Sequence, residues 1–297
     1  MLSFQSILAL EGVEPKTVNA MLHSPREPSL RRVFPALAKD QPEIVEAYQA
    51  THSPQAERAL KKGRPYVAVF LASGDVRPDK RRPMLFLGMY ENRGHRPVSL
   101  ADLRARPEVQ YLIDVHSVDY TDRWGDDGHL TWFDLKRSPL LDHYAGRLTC
   151  TIKLTQNYLR VAENLDAPVL SLSEDSAFDA PPPPWRDWIV TAGELRALPI
   201  SWADRLSAWR GIYLIIDAMD GARYVGSAYG ETNLLGRWSA HVAGDLGVTA
   251  HLKTRSPDHF QFSILERMGP DTPADEVIAR EMTWIARLGT KTYGLNT

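Results

Sequence analysis

Five residues in the last third of the chain have types and spacings that could do chemistry: Tyr213, Tyr224, Arg237, His241 and Glu281. Arg210–Asp217 is apolar, β-branched and aromatic, the composition of a buried strand. Asp220-Gly221 suits a tight hairpin turn, and Ala222–Ala228 reads as the return strand. Tyr213 and Tyr224 then sit on adjacent antiparallel strands with their phenols able to share one face. Each has a glycine nearby, Gly211 or Gly226, where another backbone or a ligand can come close. Downstream, Asn233 suits an N-cap, and Leu234, Leu235, Trp238 and Val242 make a helical stripe. Arg237 and His241 are one turn apart on that helix and project from one side. The planar fork of an arginine matches two phosphate oxygens. A solvated helix face is the plain alternative for Arg237, and an ordinary hairpin with two half-buried tyrosines is the plain alternative for the strands.

His259–Glu266 alternates well enough for a third strand. Thr272-Pro273, with Asp275, then opens a helix that runs to Leu288 and stops at Gly289. Its apolar positions are Val277, Ile278, Met282, Trp284, Ile285 and Leu288, and Glu281 falls among them. A carboxylate there must be paired, protonated or bound to a cation. A buried salt bridge with an arginine is one solution and a metal ion another.

Gly211-Ile212-Tyr213, Tyr224-Val225-Gly226, Arg237 with His241, Glu281 and the closing Tyr293-Gly-Leu-Asn296 occur in the order and on the elements of the GIY-YIG nuclease family, which this stretch resembles. The resemblance covers the last 90 or so residues. It implies a small α/β sandwich around a central antiparallel three-stranded sheet and metal-dependent hydrolysis of a DNA phosphodiester. It makes Tyr213 the general base, with Tyr224 supporting it or contacting phosphate, and puts Arg237 on the transition-state phosphate. His241 would hydrogen-bond a tyrosine or assist proton transfer, and Asn296 would orient a neighbour. Glu281 becomes the single protein ligand of Mg²⁺ or Mn²⁺. A hard ion held by one carboxylate, waters and phosphate oxygens is what magnesium prefers. A restriction or defence enzyme fits this layout, as does a repair-type nuclease that reads DNA shape. The reading from another class is a catalytically inactive nucleic-acid-binding protein that keeps the fold. The presence of both Arg237 and Glu281 favours the enzyme.

The rest of the chain must position and target these residues. At 297 residues it has room for two domains, and 43% hydrophobic with 24% charged residues is ordinary for a globular protein. No apolar run approaches the ~20 residues of a membrane span, and no secretory signal is evident at the start. The single cysteine, Cys150, excludes an internal disulfide framework and a multi-cysteine zinc site, and is expected in the core. A cytoplasmic location follows naturally. Net charge is −2, but its distribution is uneven. Lys61–Arg106 holds eleven Lys/Arg against four Asp/Glu, whereas Pro107–Ala180 holds thirteen acids against six bases. Phosphate attraction beyond Arg237 should therefore come from the first stretch, above all from Arg77, Lys80, Arg81 and Arg82 in a turn-rich segment between two strands.

The expected class is α+β. Residues 1–60, cut by prolines, read as a helical subdomain that includes Val18, Met21 and Leu22. Residues 61–178 read as a β-rich DNA-recognition domain, a twisted sheet or partly open barrel. Its strands are expected at 66–71, 84–90, 111–115, 148–152, 158–161 and 169–172. Trp124, Trp132 and Phe133 lie in a connection, with core packing favoured over base stacking. Residues 179–205, with the proline run before Trp185, read as a linker, and 206–297 as the nuclease domain. DNA is the expected partner, and a homodimer is compatible with this layout.

Overall fold

In the computed structural model the chain divides into two compact units, Met1–Ala180 and Pro181–Thr297. The structure describes residues 2–120, 129–153, 155–179, 182–196, 198–244, 252 and 254–296. Trp124 and His251 lie outside the described residues.

The first unit is built on a mixed sheet. Its strands are β1 (Val18–His23), β2 (Tyr66–Ala72), β3 (Arg81–Ser99), β4 (His129–Ser138), β5 (Leu148–Lys153), β6 (Leu159–Val161) and β7 (Val169–Leu172), in the order β6-β1-β2-β3-β5-β7 with β4 also on β3. β1 pairs parallel to β2, with Val18 opposite Tyr66. A parallel pair needs a crossover. Three helices, α2 (Pro28–Asp40), α3 (Pro42–Tyr48) and α4 (Pro54–Leu60), supply it after α1 (Phe4–Leu10). Each crossover helix starts with proline at its first turn, where no N–H is missed.

Val18, Met21 and Leu22 are therefore strand residues, not helical ones. Every residue of β1 is buried, and a fully buried strand shows no alternation by which to tell it from a helix. The first 60 residues share one sheet and one unit with those that follow. The opposite exchange occurs at 111–115, expected as a strand and found within α6 (Pro107–His116), which follows α5 (Leu100–Arg104). Pro107 opens α6, and Val109, Leu112 and His116 are buried at helical spacing. Apolar cores lie on both sides of the sheet: Met21, Val67, Val69 and Leu85 join the helices in one, and Ala20, Phe70, Phe86 and Cys150 form the other with α1. Burial pushes the Cys150 thiol up to about 12, so it is an inert core group.

The second unit is an α/β sandwich on an antiparallel sheet. The three expected strands are β9 (Arg210–Asp217), β10 (Arg223–Ala228) and β11 (Phe260–Met268). A short fourth, β8 (Ile189–Thr191), adds to β11, giving the order β10-β9-β11-β8. β8 comes from the stretch read as a linker, which also forms α7 (Ala192–Leu195), opened by a Thr191–Glu194 capping box, and α8 (Ile200–Ala208). Helix α9 (Asn233–Ala243) packs with Tyr213, Ile215 and Tyr224 on one face of the sheet. On the other face α10 (Ala274–Leu288) covers Ile212 and Val225 with Val277, Trp284 and Ile285. Ile278 and Met282 are exposed, so the buried face of α10 is narrower than its apolar residues suggested. The helix begins after Pro273 with no side-chain cap.

Candidate active site

The β9–β10 hairpin brings Tyr213 and Tyr224 together. Gly226 is opposite Tyr213, and Tyr224 is opposite Ile215. The rings stand 6.4 Å apart between centroids, both buried. Gly226 is the residue that permits this. A methyl group there would meet Tyr213 Oη and Cζ and lie 2.8 Å from Tyr224 Cε1. Gly211 is excluded from substitution for another reason: its Cβ would run into the carbonyl of Glu266, where β11 bulges between Ile264 and Glu266. Both glycines are thus explained by close approach.

Helix α9 supplies the charged half of the site. Arg237 is half-buried and faces Tyr213, Tyr224 and Glu281 rather than solvent alone. Burial works against its charge, but the two phenols and Glu281 outweigh that and hold its pKa above the ordinary arginine value. One turn on, His241 is buried with its Nε2 2.7 Å from Tyr213 Oη. Burial, and then the Arg237 charge, push the imidazole down to about 4, so it is neutral at physiological pH. Its Nδ1 has no hydrogen-bond partner among the described residues. Tyr213 is held well above the ordinary tyrosine value, by burial first and by Tyr224, with Arg237 opposing. Tyr224 is raised by burial and by Glu281.

Glu281 reaches the same place from α10. Ser227 Oγ donates to Glu281 Oε2. Burial raises the carboxyl pKa, while Ser227 and then Arg237 oppose the rise. The sequence reading did not single out Ser227. The alternation of a strand could have found it, because Ser227 shares the α10-facing side of β10 with Val225.

Asn296 hydrogen-bonds the backbone of β10, the strand that carries Tyr224. β10 is an edge strand, and the chain end lies along its open side. Leu295 N–H donates to Arg223 O at 2.8 Å. Val225 N–H donates to Asn296 Oδ1 at 2.9 Å, and Asn296 Nδ2 donates to Val225 O at 2.7 Å. A side-chain amide thus completes the ladder between Tyr224 and Gly226 and covers the edge.

The four cations expected to contact DNA fall into two pairs. Arg81 and Arg82 are the first residues of β3, not part of a projecting loop. Arg81 donates to Thr151 O at 3.2 Å and pairs with Asp166, and Arg82 donates to Gly74 O at 2.7 Å and Ser24 Oγ at 3.0 Å. A strand ladder needs only backbone, so their side chains were free to tie this end of β3 to the segments beside it. Arg77 and Lys80 are exposed at the turn.

No group of three or more His, Cys, Asp or Glu side chains able to hold a metal occurs among the described residues. The protein offers one partly buried carboxylate, flanked by a hydroxyl. Such a donor set fits a hard ion that keeps water and phosphate oxygens as its other ligands, not a zinc-type cage.

A family model described as the GIY-YIG catalytic domain matches residues 210–294. Among solved structures, the catalytic domain of the homing endonuclease I-TevI is 29% identical over 29% of this chain and 96% of that one, with a TM-score of 0.25. A point mutant of the catalytic domain of the intron endonuclease I-TevI is 29% identical over 30% of this chain and 92% of that one, with a TM-score of 0.25. No curated protein matches the chain. Through residues 210–294 the chain carries a GIY-YIG catalytic domain, the nuclease module whose motif its tyrosines and glycines spell.

Proposed function

We propose that the protein is a divalent-metal-dependent DNA endonuclease whose N-terminal unit selects the target. The observation that carries this is the convergence of Tyr213, Tyr224, Arg237, His241 and Glu281, from two strands and two helices, inside the matched domain. Tyr213 orients the attacking water and passes its own proton to His241 Nε2 as it accepts one from that water. A standing phenolate is disfavoured by burial, so an acceptor already hydrogen-bonded to the phenol is what the base needs. Substrate improves that acceptor. A phosphate beside Arg237 offsets one of the two influences that hold the imidazole low. Arg237 stabilises the charge that builds on the pentavalent phosphorus. Glu281, oriented by Ser227, holds Mg²⁺ or Mn²⁺, which when bound stabilises the leaving oxygen. Asn296 keeps β10 in register under Tyr224.

One such set of residues occurs among the described residues, and a homodimer would set two of them on a duplex, one for each strand. A nuclease module joined to a separate unit fits a restriction or defence enzyme inside the cell. The test is incubation of purified protein with supercoiled plasmid, phage DNA and RNA, with Mg²⁺, with Mn²⁺ and with excess chelator. Cleavage of DNA that the chelator abolishes is expected. Intact DNA in every metal-containing lane would favour a binding protein that keeps the fold.

A further inference from the structure

The first unit contains a cleft of about 350 Å³ on the β3–β4 ribbon, at the small end of ligand pockets and with room for one nucleotide. It exists because the ladder is broken there. The register slips between Asn92 and His95, with Gly94 at φ +116°, and pairing resumes with His95 opposite Phe133 and Arg96 opposite Trp132. A bulge of this kind re-aims side chains. Here it collects Arg93, His95, Arg96, Arg106, Trp132 and Lys136 around one opening.

The charges do not cancel. Glu46 and Asp134 also line the cleft, leaving four cations against two carboxylates. Lys136 is bound to Glu46 at 2.6 Å, and Arg93 to Glu91 at 2.9 Å. Arg96 is exposed and, among the described residues, has no hydrogen bond or ion pair. Arg106 lies over the Trp132 ring at 4.1 Å, and its buried Nε has no partner among the described residues. A half-buried indole with a guanidinium on it, and a free cation on the neighbouring strand, is the chemistry of a base platform beside a phosphate site. A duplex cannot offer a base face to such a cleft; an unstacked nucleotide can.

We propose that this cleft binds one unstacked nucleotide, its base against Trp132 and its phosphate at Arg96. The nucleotide comes either from a single-stranded or extruded DNA segment or from a free mononucleotide. The DNA source rests on the nuclease reading above, and the site itself does not.

The test uses the full chain carrying Glu281→Gln, so that bound DNA survives. Anisotropy of a labelled single-stranded oligonucleotide is read against salt, with duplex DNA and with deoxynucleoside monophosphates as competitors. Trp132→Ala should weaken single-strand binding about tenfold, within the range for one stacked base, and Trp132→Phe should restore most of it. Arg96→Ala, at an exposed position that folding does not need, should lower the salt slope by about 0.7, the value for one phosphate on a single strand. Competition by monophosphates that Trp132→Ala abolishes would identify the free nucleotide as the source. Competition by oligonucleotides alone would identify the DNA strand. Unchanged affinity in both Trp132→Ala and Arg96→Ala would overturn the proposal, as would a loss in Arg96→Ala without one in folded Trp132→Ala. The two readings fail separately. If wild type cleaves plasmid while the cleft variants bind normally, the cleft falls and the nuclease stands. If wild type cleaves nothing while the variants lose binding, the reverse holds.

Discussion

At the scale of single residues, the site depends on keeping unlike groups in the right protonation state. His241 is held neutral by burial and by Arg237, with a folded-state value of about 4 against 6.5 in the unfolded chain. Between those values the unfolded chain binds more protons, so this residue makes stability rise with pH. Its contribution is complete above about 6.5 and is lost as pH falls through the window towards 4. It amounts to about 3 kcal/mol at most. Urea unfolding at several pH values between 4 and 7 should show this slope in wild type and a flatter one in His241→Gln. Equal slopes would mean that the imidazole is charged in the folded protein. At Arg237 the expected loss concerns turnover: Arg237→Ala should cut it by about 10² or more, and Arg237→Lys should recover little because the fork is gone. Near-normal turnover in the lysine variant would return Arg237 to the status of a surface cation. Glu281→Gln should abolish cleavage and leave DNA affinity within a few-fold; a cleaving mutant would remove Glu281 from the metal site.

At the scale of elements, the hairpin is held by what its glycines omit and by what the chain end supplies. Gly226→Ala should be destabilising by about 1–3 kcal/mol, the usual cost of overpacking, and should also abolish cleavage, because the added methyl group displaces both phenols. Asn296→Ala removes two hydrogen bonds from a buried edge and leaves Val225 N–H and C=O unpaired, at a cost of roughly 1–3 kcal/mol for each group left unsatisfied. Its melting temperature should fall clearly, and an unaltered melting curve would show that the edge finds other partners. These elements differ in how far the sequence could reveal them. β9, β10 and β11 were legible because each carries a strand composition bounded by turn residues, and α9 because its stripe has helical spacing. β1 and α6 were not. Both are short apolar runs, and their identity is decided by what packs on them: two faces for β1, one for α6. Ile278 and Met282 misled for a related reason, since apolarity marks what can be buried and the partner face decides what is. The position of Glu281 at the sheet end, and the hydroxyl that meets it, required the register of β10.

At the scale of the whole molecule, the question is where phosphate attraction resides. The stretch from Lys61 to Arg106 is rich in cations, and sequence alone treated Arg77, Lys80, Arg81 and Arg82 as one basic loop. Structure divides that cluster by what each side chain already holds. Removing Arg81 and Arg82 would break their bonds to Thr151, Asp166, Gly74 and Ser24, so a combined Lys80, Arg81 and Arg82 variant would report on the sheet as well as on DNA. The clean probe is the pair at the turn. Lys80 has φ +62°, a conformation glycine adopts at no cost, so Lys80→Gly with Arg77→Ala should fold as well as wild type. Exposed charges of this kind contribute little to stability. If the turn lies on duplex DNA, the double variant should bind more weakly, and the slope of log affinity against log salt should shrink by roughly 0.9 for each phosphate the protein no longer neutralises. A salt titration of both proteins in the Glu281→Gln background reads this directly. Superimposable lines would mean that the turn faces away from DNA, and that duplex binding by the first unit must come from cations elsewhere in Lys61–Arg106.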